Sequence, residues 1–263
     1  MKRNLFFIYT LLVIFNVFAQ TETEANTNLV VAQKEVVKAD GDSAFIKNDY
    51  VSAIQIYETL LAKGEAAEVY YNLGNSYFKA GNLGKAIVNY ERALLLKPGN
   101  GDMRTNLEIA RSRTVDKIDV IPDVFFVSWI KEIRNSMSVD AWGRWGIVFF
   151  ILFIISFYFF MYSKKTVFKK IGVISMIPFL VLAILTNVFA SQQKSLFLNR
   201  NKAIVVSPSV TVRSTPSDSG TSLFVLHEGS KVIINDDTMK EWKEIRLEDG
   251  KVGWIAALDI EVI

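Results

Sequence analysis

The sequence predicts a multidomain membrane protein that combines an all-α repeat solenoid, a two-helix transmembrane hairpin and a small all-β barrel. Residues 34–100 contain two self-similar units with helical spacing, residues 146–190 contain two uncharged apolar runs, and residues 203–263 contain short apolar segments separated by turn residues. With 51% hydrophobic and 22% charged residues, the chain is more apolar than a typical soluble protein and more charged than a bundle of membrane helices. We therefore expect soluble domains attached to a membrane anchor.

The composition excludes several function classes. The net charge is only +3, and four of the 30 basic residues lie in one short segment, so a nucleic-acid-binding face is not expected. The chain has no cysteine, which excludes disulfides, zinc-thiolate sites and thiol catalysis. Its single histidine, His227, is predicted to lie on an exposed turn, and there is no second histidine for a metal site or an oriented partner for a catalytic triad. We expect no catalytic, metal or cofactor site.

The N-terminus has the pattern of a secretory signal peptide, residues 1–19. Lys2 and Arg3 precede an apolar run, and Val17 and Ala19 occupy the small-residue positions of a cleavage site. An uncleaved signal anchor is the alternative, and either would export the residues that follow. Residues 20–33 form a polar leader.

Residues 67–100 resemble a tetratricopeptide repeat, a 34-residue helical hairpin. A hairpin of this kind needs small residues where its helices cross and large residues between the crossings. The positions that carry the resemblance are Tyr70, Leu73, Gly74, Tyr77, Gly81, Ala86, Tyr90, Ala93 and Pro98.

A weaker copy lies at residues 34–66. The residues 33 positions before Gly74, Ala86 and Tyr90 are Gly41, Ala53 and Tyr57, which match them in type. Residues 101–113 are predicted to form a polar capping helix, which completes a repeat domain at 34–113. Two repeats and a cap are close to the minimum for a stable solenoid, so the domain is a candidate for docking or homo-oligomer formation.

The resemblance implies that the first helices of the repeats form a groove for a peptide or helix. Lys38 and Asn72 match the family's clamp for a C-terminal carboxylate, but Asp42 replaces an asparagine, and Asp102 and Asn106 stand where the clamp has lysine and arginine. Because acids repel a carboxylate, we expect a neutral or basic partner segment. The alternative is that Tyr71 and Phe78 only pack against the next helix. The predicted groove residues are Lys38, Asp42, Tyr71, Asn72, Asn75, Phe78 and Lys79.

Residues 114–141 are predicted to be a juxtamembrane amphipathic segment. Phe125, Phe126, Trp129 and Ile133 recur at helical spacing between charged residues, which is typical of a helix that lies on membrane lipid. A helix bound in a partner's groove is the rival interpretation.

Transmembrane helices are predicted at residues 142–162 and 171–190. Each is about 20 residues long, or roughly 30 Å, and neither apolar run contains an ionisable residue that would indicate a transport path. The loop between them, residues 163–170, carries four lysines, and short basic loops remain cytoplasmic. Both soluble domains are therefore expected on the periplasmic side of a bacterial inner membrane. The four topology-determining residues are Lys164, Lys165, Lys169 and Lys170.

After a linker at 191–202, residues 203–263 resemble a bacterial SH3-like barrel. Six short strands are predicted, and Asp249-Gly250 suits a tight hairpin that requires a positive φ. Trp242 and Trp254 are the candidate partner-binding residues, with packing in the core as the alternative. The positions that carry the resemblance are Val210, Val212, Arg213, Ser214, Pro216, Gly229, Trp242, Gly253, Trp254 and Ile255.

The order of these parts resembles BatE-type proteins of the aerotolerance operon. The resemblance implies an envelope scaffold that assembles a periplasmic complex with von Willebrand A-domain Bat partners and contributes to stress resistance. It implies no enzymatic activity. The alternative hypothesis is a cell-wall sensor that binds peptidoglycan through the SH3-like domain.

Overall fold

The computed structural model describes residues 38–118 and 124–263. The predicted signal peptide and polar leader lie outside the described residues, as do the first four residues of the weaker repeat. The chain divides into two units, Met1–Gly64 and Glu65–Ile263, which are described separately.

The first unit contains a helical hairpin made of α1, residues 38–46, and α2, Tyr50–Leu61. Asn48 adopts a positive φ of 62° at the turn, and the Asp49 side chain then caps α2 by accepting a hydrogen bond from the Ser52 amide at 3.1 Å. Tyr57 is buried, and its ring lies so close to Gly41 that a Cβ there would approach it to 2.7 Å. Gly41 therefore allows the two helices to cross closely.

The second unit begins with α3, Ala67–Lys79, and α4, Leu83–Leu96, which repeat the same features 33 residues later. Gly81 takes the positive φ at the turn, and the Asn82 side chain caps α4 through the Lys85 amide at 3.0 Å. Gly74 lies against the ring of Tyr90, where a Cβ would come within 2.7 Å. Helix α5, Gly101–Ser112, follows where the capping helix was predicted.

Three further helices follow: α6, Phe125–Arg134; α7, Val139–Tyr162; and α8, Thr166–Leu198. The apolar helices are longer than the sequence predicted. Ser138 caps α7 through the Ala141 amide, which adds a turn before Trp142. Helix α8 starts within the predicted loop and continues through the first part of the predicted linker, because residues 191–198 contain no glycine or proline that would end it.

Helices α7 and α8 pack against each other through small and hydroxyl-bearing residues. A Cβ at Gly172 would approach the carbonyl oxygen of Ser156 to 2.7 Å, and Ser175 Oγ donates a hydrogen bond to Ser156 Oγ at 2.9 Å. Both helices are long and apolar enough to cross a membrane, and only 11% of the most apolar window of each is buried. Their outer surfaces are therefore apolar and uncovered.

The C-terminal part forms one antiparallel sheet with the strand order β3-β2-β6-β5-β4-β1-β7. Six strands lie where the sequence predicted them, and Gly250 has the expected positive φ, at 93°. The seventh, β7, was not predicted because it has only three residues and follows a single 3₁₀ turn, Ala257–Asp259. The strands are β1, Lys202–Val205; β2, Ser209–Arg213; β3, Ser222–His227; β4, Lys231–Asp236; β5, Trp242–Arg246; β6, Val252–Ala256; and β7, Ile260–Val262.

The sheet encloses its own apolar core. Alternation along the strands sends every second side chain inward, so that Ile245 and Ile255 are fully buried on neighbouring strands. The core residues are Ala203, Val205, Val212, Leu226, Val232, Ile245, Leu247 and Ile255.

Candidate protein-interaction site

The predicted groove residues of the second unit lie on one surface of α3, which we call the α3 face. Tyr71, Asn72, Asn75 and Phe78 are partly exposed, and Lys79 is exposed at the C-terminal end of the helix. Their spacing of three, four and seven residues places them on adjacent turns. The α3 face thus presents two aromatic rings, two amides and one cation.

Neighbouring helices hold the central part of the α3 face in place. Asn106 on α5 donates hydrogen bonds to the Tyr71 hydroxyl and to Asn75 Oδ1, both at 2.9 Å. The hydroxyl of the buried Tyr90 donates a second hydrogen bond to Asn75 Oδ1, at 2.8 Å. These bonds fix the orientation of the Asn75 amide and leave its NH₂ group as the donor for a bound segment.

Phe78 also packs against the C-terminal end of helix α5, in line with the alternative interpretation. The guanidinium of Arg113 lies 4.5 Å from the centre of its ring. Because Phe78 remains partly exposed, this contact positions its ring and does not remove it from the surface. Tyr71 is partly exposed as well.

Lys38 and Asp42, the other two predicted groove residues, belong to the first unit. Lys38 Nζ lies 2.8 Å from Asp42 Oδ2, and the Tyr57 hydroxyl donates a hydrogen bond to Asp42 Oδ1 at 2.6 Å. The Asp42 carboxylate is therefore bound within its own hairpin, and the two charges compensate each other.

The second predicted surface consists of Trp242 and Trp254, which we call the tryptophan pair. Trp242 is opposite Ala256 and Trp254 is opposite Glu244 in the β5/β6 register, so the two indoles are diagonal neighbours on one face. Ile245 and Ile255 point to the other face, into the core. Both tryptophans are partly buried and lie on the face opposite Ile245 and Ile255.

The C-terminal sheet packs on the repeat, a contact that was not predicted, and we call it the repeat–sheet interface. Helix α4 contacts strand β1, where Ile204 points away from the sheet core and is fully buried. A Cβ at Gly84 would lie 2.9 Å from the carbonyl oxygen of Val205, so a glycine is needed for this approach. The Gly84 amide donates a hydrogen bond to Glu228 Oε2 at 3.2 Å.

Charged groups complete the repeat–sheet interface. Glu91 on α4 contacts Lys231 on β4 at 2.8 Å and also forms an ion pair with Arg111 on α5. Burial opposes ionisation of Glu91, but Lys231 and Arg111 outweigh it and hold the pKa of this carboxyl below its usual value. Arg92, one residue further on, lies 2.8 Å from Glu261 on β7.

Asp116, which follows α5, joins the same interface from the other side. It accepts hydrogen bonds from the His227 amide at 2.7 Å and from Ser230 Oγ at 2.5 Å, and its second oxygen lies 2.8 Å from His227 Nδ1. Burial opposes ionisation, but the bonds from Ser230 and His227 hold the pKa of Asp116 below its usual value. The expectation of an exposed turn at His227 is therefore wrong: the residue ends β3 and is held against Asp116.

Acidification should weaken the repeat–sheet interface. Glu91 and Asp116 have pKa values below those of an unfolded chain, about 4, so their ionised contacts stabilise the folded state at neutral pH. This contribution should be lost as the pH falls from about 5 through the folded-state values. The measurement is the urea midpoint of the full chain in detergent at pH 7 and at decreasing pH down to about pH 3. If acidification lowered the urea midpoint of a Glu91→Gln, Asp116→Asn double variant by the same amount, these two carboxylates would not be the cause of the pH dependence.

Comparison with known families identifies part of this arrangement. Residues 67–100 match the family model of the tetratricopeptide repeat, a span that includes α3, α4 and the Gly74–Tyr90 contact. Comparison with curated proteins finds no match for the chain. The chain therefore contains a tetratricopeptide repeat, a helical hairpin that generally mediates protein–protein interaction, next to two apolar helices and an antiparallel sheet.

Proposed function

We propose that this protein is a membrane-anchored scaffold that assembles a protein complex in the bacterial cell envelope. The observation that carries the proposal is the α3 face of the tetratricopeptide repeat, whose aromatic and amide groups are held in position by Asn106 and remain accessible. The SH3-like sheet contributes a second surface, the tryptophan pair. Because the sheet packs on α4, both surfaces belong to one unit and could hold two partners at a fixed separation.

The partners that we propose are envelope proteins of the von Willebrand A-domain class, in agreement with the resemblance to BatE-type proteins and their role in aerotolerance. The α3 face has one exposed lysine and no acidic group, while Asp42 in the first unit is neutralised by Lys38. A neutral segment that offers amide and aromatic groups suits such a surface.

An Asn72→Arg variant should reduce recovery of the partner in crosslinked pull-downs from membranes. The longer cationic side chain would cover the α3 face and repel a neutral or basic segment, and loss of one central contact corresponds to about tenfold in affinity. The matched control is Gln55→Arg, which places the same group on the exposed side of α2. Unchanged recovery with Asn72→Arg, or an equal loss in both variants, would rule out the α3 face as the docking site.

We further propose that α7 and α8 cross the inner membrane and that both soluble parts are periplasmic. Lys164 and Lys165 lie in the connection between the two helices, Lys169 and Lys170 lie in the first turns of α8, and all four are exposed. A basic segment at such a connection remains cytoplasmic during insertion. Helix α6 is further evidence for this membrane anchor, since Phe125 and Trp129 are 85% and 57% exposed and their aromatic side chains suit contact with a lipid surface.

The natural absence of cysteine allows a direct test of this topology. A single cysteine at Thr166→Cys should resist a membrane-impermeant thiol reagent added to spheroplasts, whereas one at Ser219→Cys, on an exposed loop of the sheet, should react. Permeabilised cells provide the control, because both cysteines should then be labelled. The reverse pattern would place the repeat and the sheet in the cytoplasm.

A further inference from the structure

A cavity of about 280 Å³ lies where five parts of the second unit meet. Its walls come from the C-terminal end of α4, from α5, from the C-terminal end of α6, from the C-terminal end of α8 and from the sheet. The charged residues that line it are Glu91, Arg104, Arg134, Arg200, Lys202 and Lys231. The lining therefore has five cationic side chains and one carboxylate side chain.

Two of the five cations are compensated. Lys231 pairs with Glu91, and Arg200 donates two hydrogen bonds to Glu65, at 2.8 and 2.6 Å. Glu91 also pairs with Arg111 and lies close enough to influence Lys202, so this single carboxylate is shared among three cations.

The other three cations are Arg104, Arg134 and Lys202. In the described part of the chain, no carboxylate lies within 4.0 Å of any of them. Arg104 donates to the carbonyl oxygen of Pro98 at 2.8 Å, and Arg134 donates to Asn135 Oδ1 at 3.1 Å. These acceptors are neutral and do not cancel the charge.

The surroundings make this excess positive charge costly. Desolvation lowers the pKa of Lys202 and the nearby charge of Lys231 lowers it further, and together these effects outweigh the opposing influence of Glu91 and Glu248. Burial also lowers the pKa of Arg134. An anion in the cavity would relieve both effects, because it would replace lost hydration and offset the repulsion between the cations.

Gln193 is an independent indication that this cavity is a binding site. Its side chain lines the cavity and is only 4% exposed, yet its Oε1 has no hydrogen-bond partner among the described residues. The two ends of a glutamine amide are interchangeable by rotation, so the same side chain can offer NH donors to an anion. Buried amides normally have partners, and this one lacks a partner where the cations converge.

The position of the cavity indicates the class of anion. Gln193 and Arg200 lie at the C-terminal end of α8, and Arg134 lies just before α7, so the cavity is at the end of the apolar hairpin opposite its lysine-rich connection. We propose that this cavity binds a phosphate group through Arg134, Lys202 and Gln193. A phospholipid headgroup and free phosphate share this chemistry, since guanidinium, ammonium and amide groups all donate to phosphate oxygens.

The test uses the full chain purified in a neutral detergent and two probes. Inorganic phosphate is titrated by calorimetry at constant ionic strength, and phosphatidylglycerol binding is measured by native mass spectrometry with phosphatidylcholine as the reference lipid. The Arg134→Gln, Lys202→Gln variant should bind at least tenfold more weakly than the unchanged protein. The matched control is Lys240→Gln, Lys251→Gln, which removes two exposed cations of the sheet that do not line the cavity and should bind normally.

The two probes distinguish the sources of the phosphate. Preference for phosphatidylglycerol alone assigns a lipid headgroup, and binding of inorganic phosphate assigns the free ion; either result supports the proposal. Failure of both probes, or an equal loss in the control variant, overturns it. If the double variant misfolds, two single variants replace it: Gln193→Met, which keeps every charge, and Arg134→Gln. Unchanged phosphate and lipid binding by both single variants would also overturn the proposal.

Discussion

Replacing Glu91 with glutamine should release the C-terminal sheet from the repeat. Glu91 is the only side chain in the described repeat–sheet interface that pairs with cations from both α5 and the sheet, Arg111 and Lys231. Its carboxylate is 12% exposed, so the amide would leave two cations without compensation in a largely buried place. Removal of one partner from a buried ionic cluster costs about 3 kcal/mol.

Hydrogen exchange measured by mass spectrometry on the full chain checks this result. The amides of β1, which contacts α4, should open on the order of 100-fold more often in Glu91→Gln, because each 1.4 kcal/mol corresponds to a factor of ten. The exposed Glu108→Gln on α5 is the matched control and should stay within about 0.5 kcal/mol of the unchanged protein. Adding Lys231→Met to Glu91→Gln should restore part of the protection, since one uncompensated cation is then removed. Protection of β1 that is the same in all these variants would show that apolar contact alone holds the sheet.

Replacing Tyr90 with alanine should unfold the tetratricopeptide repeat or bring it close to unfolding. The ring is 1% exposed and fills the space above Gly74, where the backbone of α3 comes closest to α4. Alanine would leave a cavity that neighbouring helices cannot close, and loss of a buried aromatic ring costs about 4 kcal/mol. The hydrogen bond to Asn75 would be lost as well.

The measurement is the exchange rate of the α3 amides, together with partner recovery in the pull-down. Tyr90→Phe is the control, because it keeps the ring on Gly74 and removes only the bond to Asn75, at a cost of about 1 kcal/mol. We expect Tyr90→Ala to abolish partner recovery and Tyr90→Phe to reduce it slightly. Similar exchange rates in the two variants would mean that packing on Gly74 contributes little to the repeat.

Much of the local structure could be predicted from the sequence, since it depends on contacts between residues close in the chain. The 33-residue correspondence of Gly41 with Gly74 and of Tyr57 with Tyr90 is confirmed as the same glycine–tyrosine contact in two hairpins. Gly250 adopts the positive φ that was expected for its hairpin. These features follow from backbone sterics and side-chain size.

The repeat–sheet interface could not be predicted, because its partners are far apart in the chain. Glu91 and Lys231 are separated by 140 residues, and Asp116 and His227 by 111. Helical periodicity indicates which side of α4 is apolar, but not which surface covers it. A signal was present in Gly84, a glycine in the first turn of a helix with no turn to explain it, which indicates the close approach of another backbone.

The repeat–sheet interface has a further consequence for how the chain is made. Helices α7 and α8 separate the two halves of the interface, so under the proposed topology the halves meet only if both helices have been inserted and the chain has returned to its starting side. A chain whose second helix failed to insert would leave the sheet on the wrong side, with Ile87 of α4 and Ile204 of β1 uncovered. Under the proposed topology, the contact between repeat and sheet therefore forms only in a chain whose two apolar helices have both been inserted.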